Sequence, residues 1–195
     1  TGITTEVVEE LCALPTKTSP ALYDFVLVDL PLIAESQDGD RWREVAWSEI
    51  EVAARQCTVR CLLRALDALA DGSDLLVRCS SLYTRFSLGL VAVLSVLFDR
   101  ISFARPQVVP AWKGERWFVF TGCAPLTRSK ERKAVRALLV CLMSQLSATP
   151  TKTILDVVPV ALLCTGGFHE FLVASNEEAI DAELRYWSSS PPARA

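Results

Sequence analysis

Hydrophobic residues fall along this chain in short blocks separated by polar turns, and their spacing changes from block to block. Phe25-Val-Leu-Val28 is a continuous apolar run closed by Asp29 and Pro31, which is the pattern of a buried strand. From Val45 to Leu69 apolar positions return every three or four residues, through Ile50, Ala54, Cys57, Cys61, Leu62 and Leu66. That predicts a long amphipathic helix, ended by Asp71-Gly72. Leu75–Val77 predicts a second strand, Phe86–Phe98 a second helix, Ile101–Phe103 a third strand and Trp117–Phe120 a fourth.

The flanks carry weaker patterns. Thr4-Thr5-Glu6 ahead of Val7, Val8 and Leu11 predicts a short capped helix running to Leu14. Ser129–Leu146 predicts a helix with Arg128, Lys130, Arg132, Lys133 and Arg136 on its exposed side, a solvated face or an RNA track. An apolar segment over Ile154–Cys164, a turn at Gly166-Gly167 and a helix over Asn176–Trp187 follow, and Ser188–Ala195 reads as a disordered tail.

The order strand, helix, strand, helix, strand, loop, strand predicts an α/β fold with a mostly parallel sheet and helices on both faces. The last two strands are joined by Arg105–Gly114, a loop without helical pattern, which predicts an antiparallel hairpin at the edge of that sheet.

Composition narrows the function classes. The 195 residues suffice for one domain with a sizeable core, and 51% apolar content argues against disorder. A net charge of −3 gives no global basic field, so contact with nucleic acid has to come from a local patch. The apolar runs are too short to span a bilayer, and the opening TGITTEVVEELCAL has no basic segment of the kind a signal peptide carries. Seven cysteines scattered among apolar residues without CxxC spacing read as reduced, buried thiols of a reducing compartment rather than a metal or disulfide framework. The chain starts without Met and reads as a fragment.

One residue breaks the apolar logic. Arg78 follows Leu75-Leu-Val77 directly, and a guanidinium at the end of a buried run needs a partner or a function. In open parallel sheets ligands bind outside the carboxyl ends of the strands. Asp29, Arg78 and Glu115 would converge there, the last because it precedes an antiparallel strand. On this geometry they are either an ion-pair network or a site.

The segments YDFVLVDLP, LLRALDALADGSDLLVRCSSLYTRFSLGLVAVLSVLFDRISFARP and KGERWFVFTG resemble the carboxyl half of FtsJ-type, Rossmann-like 2′-O-methyltransferases. With DVVPVALL and HEFLVASNE downstream, the resemblance points to the eukaryotic mRNA cap-1 ribose methyltransferases and covers residues 1 to 187. It implies a partial methyltransferase domain over 1–123, a family-specific α/β extension packed on it over 124–187, and a tail over 188–195.

What the resemblance implies about chemistry can be placed residue by residue. The family uses a Lys-Asp-Lys-Glu tetrad and S-adenosylmethionine, the second Lys taking the proton of the ribose 2′-hydroxyl. Asp29 falls on the Asp, Arg78 on the second Lys and Glu115 on the Glu, so these three are the implied catalytic set. Thr1 and Gly2, in a TGIT that resembles the family's T-G-D-I-T, join Asp29 as implied cofactor contacts. The first Lys and the Gly-rich cofactor turn belong upstream of Thr1. Leu30-Pro31-Leu32 stands in place of Gly-Gly-Phe, and Val109-Pro110 in place of Ser-Arg.

Around Glu115, the residues Trp112, Lys113 and Arg116 mix aromatic and basic side chains, the composition that stacks bases and holds phosphate. Trp117, Trp42 and Trp47 read as core residues, and His169, the single histidine, as structural with no metal site.

The implied function is methylation of the first transcribed nucleotide of capped mRNA, in the nucleus or else the cytoplasm. Its implied partners are the mRNA 5′ end and the transcription or capping machinery, with no membrane. Arg78 stays protonated at neutral pH and cannot act as a base. The alternative is therefore an inactive methyltransferase-like module that binds RNA or protein. The isolated 195 residues are expected to be inactive.

Overall fold

The computed structural model describes residues 22–29, 47–79, 84–104, 116–125, 130–148 and 154–189. Its elements are β1 (Tyr23–Val28), α1 (Trp47–Ala68), β2 (Leu69–Cys79), α2 (Arg85–Ser95), β3 (Phe98–Ala104), β4 (Arg116–Cys123), α3 (Lys130–Ala148), α4 (Val160–Leu163) and α5 (Gly166–Ser189). The four strands form one sheet in the order β1-β2-β4-β3. β1 and β2 are parallel, whereas β4 runs antiparallel to both β2 and β3.

The sheet is thus mixed, with β1, β2 and β3 running one way and β4 alone the other; what differs from the expectation is the place of β4. β4 is inserted between β2 and β3, so β3 alone takes the edge position expected of the hairpin. β3 and β4 nevertheless pair antiparallel, as the sequence pattern predicts.

Strand residues alternate between two faces, and the two faces differ sharply. Val28, Leu75, Val77, Phe118, Phe120 and Cys123 are buried in one cluster with Val59, Leu62 and Leu66 of α1, Phe86, Leu90 and Leu94 of α2, and Leu139 and Leu142 of α3. Aromatic rings run through this core in a chain, Phe98 to Phe120 at 5.2 Å, Phe120 to Phe118 at 6.2 Å and Phe118 to Phe103 at 6.1 Å between centroids. Such ring pairs add roughly 0.5–1.5 kcal/mol each beyond the area they bury. On the opposite face Tyr23, Phe25 and Leu27 remain 53%, 55% and 50% exposed. Among the described residues the packed helices cover one face, not both.

Two boundaries differ from the sequence pattern for local reasons. The helix expected to run to Leu69 ends at Ala68, and Leu69 already pairs with Tyr23. Between Tyr23↔Leu69 and Phe25↔Asp74 the register slips, so β2 carries extra residues at this point. Gly72 lies within that bulge at φ 74°, a conformation that costs a glycine little. Likewise α2 ends at Ser95, not Phe98, because Leu97 N–H bonds Leu94 C=O in a tight turn and Phe98 enters β3. The unbroken apolar run Val96-Leu97-Phe98 conceals that turn.

The described part of the carboxyl-terminal region shares the same core. Val157, Val158, Phe168 and Phe171 pack on it, and Leu172 is buried within it. Gly166 of the expected Gly166-Gly167 turn does turn the chain, at φ 68°, and leads directly into α5, which runs on to Ser189. Gly89 of α2 lets the Val157 segment approach: a Cβ there would stand 2.8 Å from Val157 Cβ and 3.4 Å from the backbone nitrogens of Val157 and Val158. Alanine at 89 gains about 1 kcal/mol in helix propensity. Gly89→Ala is nevertheless expected to destabilise by a net of about 1–3 kcal/mol through overpacking. Urea unfolding reads this directly, and an unchanged or raised midpoint would show that the Val157 segment yields freely.

Candidate functional site

Because β1 and β2 are parallel, their carboxyl ends share one edge of the sheet, where antiparallel β4 begins. The register sets Val28 beside Val77 and Arg78 beside Trp117. Residues paired across strands point to the same face, so Arg78 and Trp117 rise together. Asp29 follows β1 at the same level, and Arg78 Nη1 donates to Asp29 Oδ1 at 2.8 Å. The Arg78 side chain is 21% exposed and that of Asp29 46%. The guanidinium carbon lies 5.9 Å from the centre of the Trp117 ring, which flanks the pair on the β4 side.

Chemically this is a neutral pair with one accessible carboxylate and a cation held in place from two sides. Arginine keeps its protons at neutral pH, so the arrangement can donate hydrogen bonds, orient an oxygen and balance charge. It cannot take a proton. Trp117, read from the sequence as a core residue, is the neighbour that pattern reasoning missed. The signal was its one-residue offset from Phe118: Phe118 and Phe120 alternate inward, which puts Trp117 on the other face.

Arg116 points the opposite way. It is 2% exposed, donates from Nη1 to Asn176 Oδ1 and lies 5.6 Å from the Phe103 ring. That placement ties β4 to α5 and presents no guanidinium to a ligand. Glu115, Trp112, Lys113, Thr1, Gly2 and Trp42 lie outside the described residues, as does the expected helix over Thr4–Leu14. His169 is half-buried in the first turn of α5. Behind the site Arg55 of α1, 5% exposed, donates to Ile154 C=O at 2.7 Å and stacks 4.6 Å from Phe86.

The basic run on α3 is divided: Lys130, Lys133 and Arg136 are exposed as expected, and Arg132 serves the fold. Arg132, expected on the exposed side, is buried at 2% exposure. Its Nη2 donates to Leu66 C=O at 2.8 Å and Leu69 C=O at 2.7 Å, and its Nη1 to Ala124 C=O at 3.0 Å and Cys123 Sγ at 3.4 Å. It therefore closes the carboxyl end of α1, where helix carbonyls lack partners. Arg136 bonds Asp67 through both Nε and Nη2. Lys130 and Lys133 stay exposed. Burial pushes the Cys123 thiol above its ordinary value, against the opposing pull of the Arg132 charge.

Comparison with known proteins relates the chain, distantly, to methyltransferases. The relative is Cap-specific mRNA (nucleoside-2'-O-)-methyltransferase 1 of Danio rerio, 25% identical over 138 residues. The match takes in 69% of this chain and 16% of the relative's length, so the chain spans only a small part of that protein. No family model matches. Among solved structures, one described as alphavirus P23pro-zbd aligns with 72% of this chain and 19% of its own, at 22% identity and a TM-score of 0.40. No helix among the described residues is long and apolar enough to cross a membrane.

Proposed function

We propose that this chain is the carboxyl part of a Rossmann-like, S-adenosylmethionine-dependent 2′-O-methyltransferase domain of the cap-1 type. Its substrate would be the ribose of the first nucleotide of capped mRNA. The observation that carries the reading is the Asp29–Arg78 pair at the adjoining carboxyl ends of two parallel strands, in a chain similar to a cap-specific mRNA methyltransferase. The exposed Tyr23, Phe25 and Leu27 support it further. A partly apolar sheet face next to β1, an edge strand among the described residues, calls for covering elements, and the remainder of such a domain would supply them on the β1 side.

The donor set fits the cofactor in one respect: a paired Arg78 and Asp29 are neutral together, so a sulfonium cation beside them is not repelled. S-adenosylmethionine, when bound, supplies the methyl group. Asp29, with its accessible carboxylate, is the proposed contact on that side, joined by Thr1 and Gly2. Arg78 donates to the attacking 2′-oxygen and holds it in line, which converts an encounter into an oriented approach. The hydroxyl proton passes to water, since Arg78 does not accept it. Glu115 completes the charged set, and Trp112 and Lys113 stack on and hold the RNA. The reading places the protein with the capping machinery in the nucleus.

A test is methyl transfer from labelled S-adenosylmethionine to capped RNA by the full-length protein. Slow labelling of the first ribose is expected, lost in Asp29→Ala, with no transfer by the 195 residues alone. A specific observation favours a second reading: a permanently charged arginine, already engaged by Asp29, stands where the family places a base. Calorimetry showing no cofactor binding by the full-length protein, together with retained RNA or protein binding, would establish that inactive module instead.

A further inference from the structure

Helix α5 runs for 24 residues and buries only one side. Leu172, Ser175 and Ala179, three and four residues apart, face the core. Val173, Ile180 and Leu184 are exposed, at 39%, 45% and 61%. Spaced seven and four apart, these three large aliphatic residues form a single line along the helix. Glu170, Glu177 and Asp181 are exposed as well. At the helical repeat they lie roughly 40–80° to one side of that line, as an acidic margin one or two turns apart. Arg185 is farther round and bonds the Asp181 carbonyl at 3.1 Å.

A solvated helix face normally carries polar residues along its outer line. On α5 the acids hold the outermost line, opposite the buried residues, and the aliphatic stripe runs beside them on exposed surface with the anchor spacing of helix-on-helix recognition. We propose that the outer face of α5 docks an amphipathic helix of a partner protein whose apolar stripe is bordered by lysine or arginine. Charge selects this occupant. A second copy would bring its own Glu170, Glu177 and Asp181 to the contact, and flanking charges of like sign disfavour such pairing. An anionic membrane surface meets the same repulsion. One helix on one face buries less than a standard interface, so affinity on the order of micromolar is expected.

The test uses the full chain and two labelled synthetic amphipathic helices of equal length, one of leucine and lysine, the other of leucine and glutamate. Fluorescence anisotropy should show the lysine peptide binding at least about tenfold more tightly, with affinity falling as salt rises. The double variant Ile180→Asp/Leu184→Asp should lose that binding while keeping its helix content and melting transition. The triple variant Glu170→Lys/Glu177→Lys/Asp181→Lys should reverse the preference towards the glutamate peptide. Because those three side chains are exposed, this variant carries the test if the aspartate variant fails to fold. The proposal is overturned if neither peptide binds or if charge reversal leaves the preference unchanged. Binding that survives in a folded aspartate variant would also overturn it, as would a dimer that those aspartates dissolve.

Discussion

Replacing Arg132 with leucine is expected to destabilise the protein by about 3–5 kcal/mol, although the substitution puts a hydrophobic residue into a buried position. The reason is the carbonyls left behind. Leu66 and Leu69, at the end of α1 and the start of β2, both lose their donor, and Ala124 beyond β4 loses another. A buried acceptor without a partner costs about 1–3 kcal/mol. Arg132 also stands 3.7 Å from Asp71, but that carboxylate is half-exposed, so the ion pair itself contributes little. Arg132→Lys should recover part of the loss, since one ammonium cannot span Leu66, Leu69 and Ala124 together. Urea unfolding of wild type and both variants measures this. A leucine variant within about 1 kcal/mol of wild type would show that water replaces the guanidinium readily.

The second large effect concerns turnover. If the full-length protein transfers methyl groups as proposed, Arg78→Lys should raise the rate by about 10²–10⁴, the usual contribution of a general base. Arginine fixes the 2′-oxygen but keeps its protons, whereas lysine can release one and accept another. The pH profile separates this from a packing effect. Below the titration of the new amine, the Arg78→Lys rate should climb with pH as the neutral amine becomes populated, while the wild-type rate shows no such limb. Asp29 is within reach of either side chain, so the ion pair survives the change in length or is remade through water. A variant that binds cofactor and RNA yet gains no rate would count against a latent base position and favour the binding-module reading.

Much of this architecture was legible in the hydrophobic pattern because most elements bury one face, and burial imposes a period. The strand at Phe25–Val28, the helix through Cys57, Leu62 and Leu66, and the strand that carries Phe118 and Phe120 follow from that alone. Where two buried elements abut without a polar break, the pattern carries no boundary. Leu69 and Phe98 each continue an apolar run while changing from helix to strand, and hydrogen bonding to a neighbouring strand makes the choice. Gly166 shows the converse, for there a local turn signal is kept at φ 68° and marks where the chain enters α5, whose Phe168, Phe171 and Leu172 reach the core.

The candidate site divides along the same line. The sequence by itself determined that a charged residue ends a buried strand at Arg78, that Asp29 ends another, and that a permanent cation rather than a titratable amine occupies the position. Those are properties of residue type and local order. Only the tertiary structure decided that β1 and β2 lie side by side, so that the two charges meet at 2.8 Å, and that antiparallel β4 brings Trp117 up beside them. It also decided which arginines are buried. Arg116 and Arg132 look like surface cations in the sequence, yet Asn176 and the carbonyls closing α1 draw them inside. Strand pairing and long-range hydrogen bonding join residues far apart in the chain, and no local period encodes which partners meet.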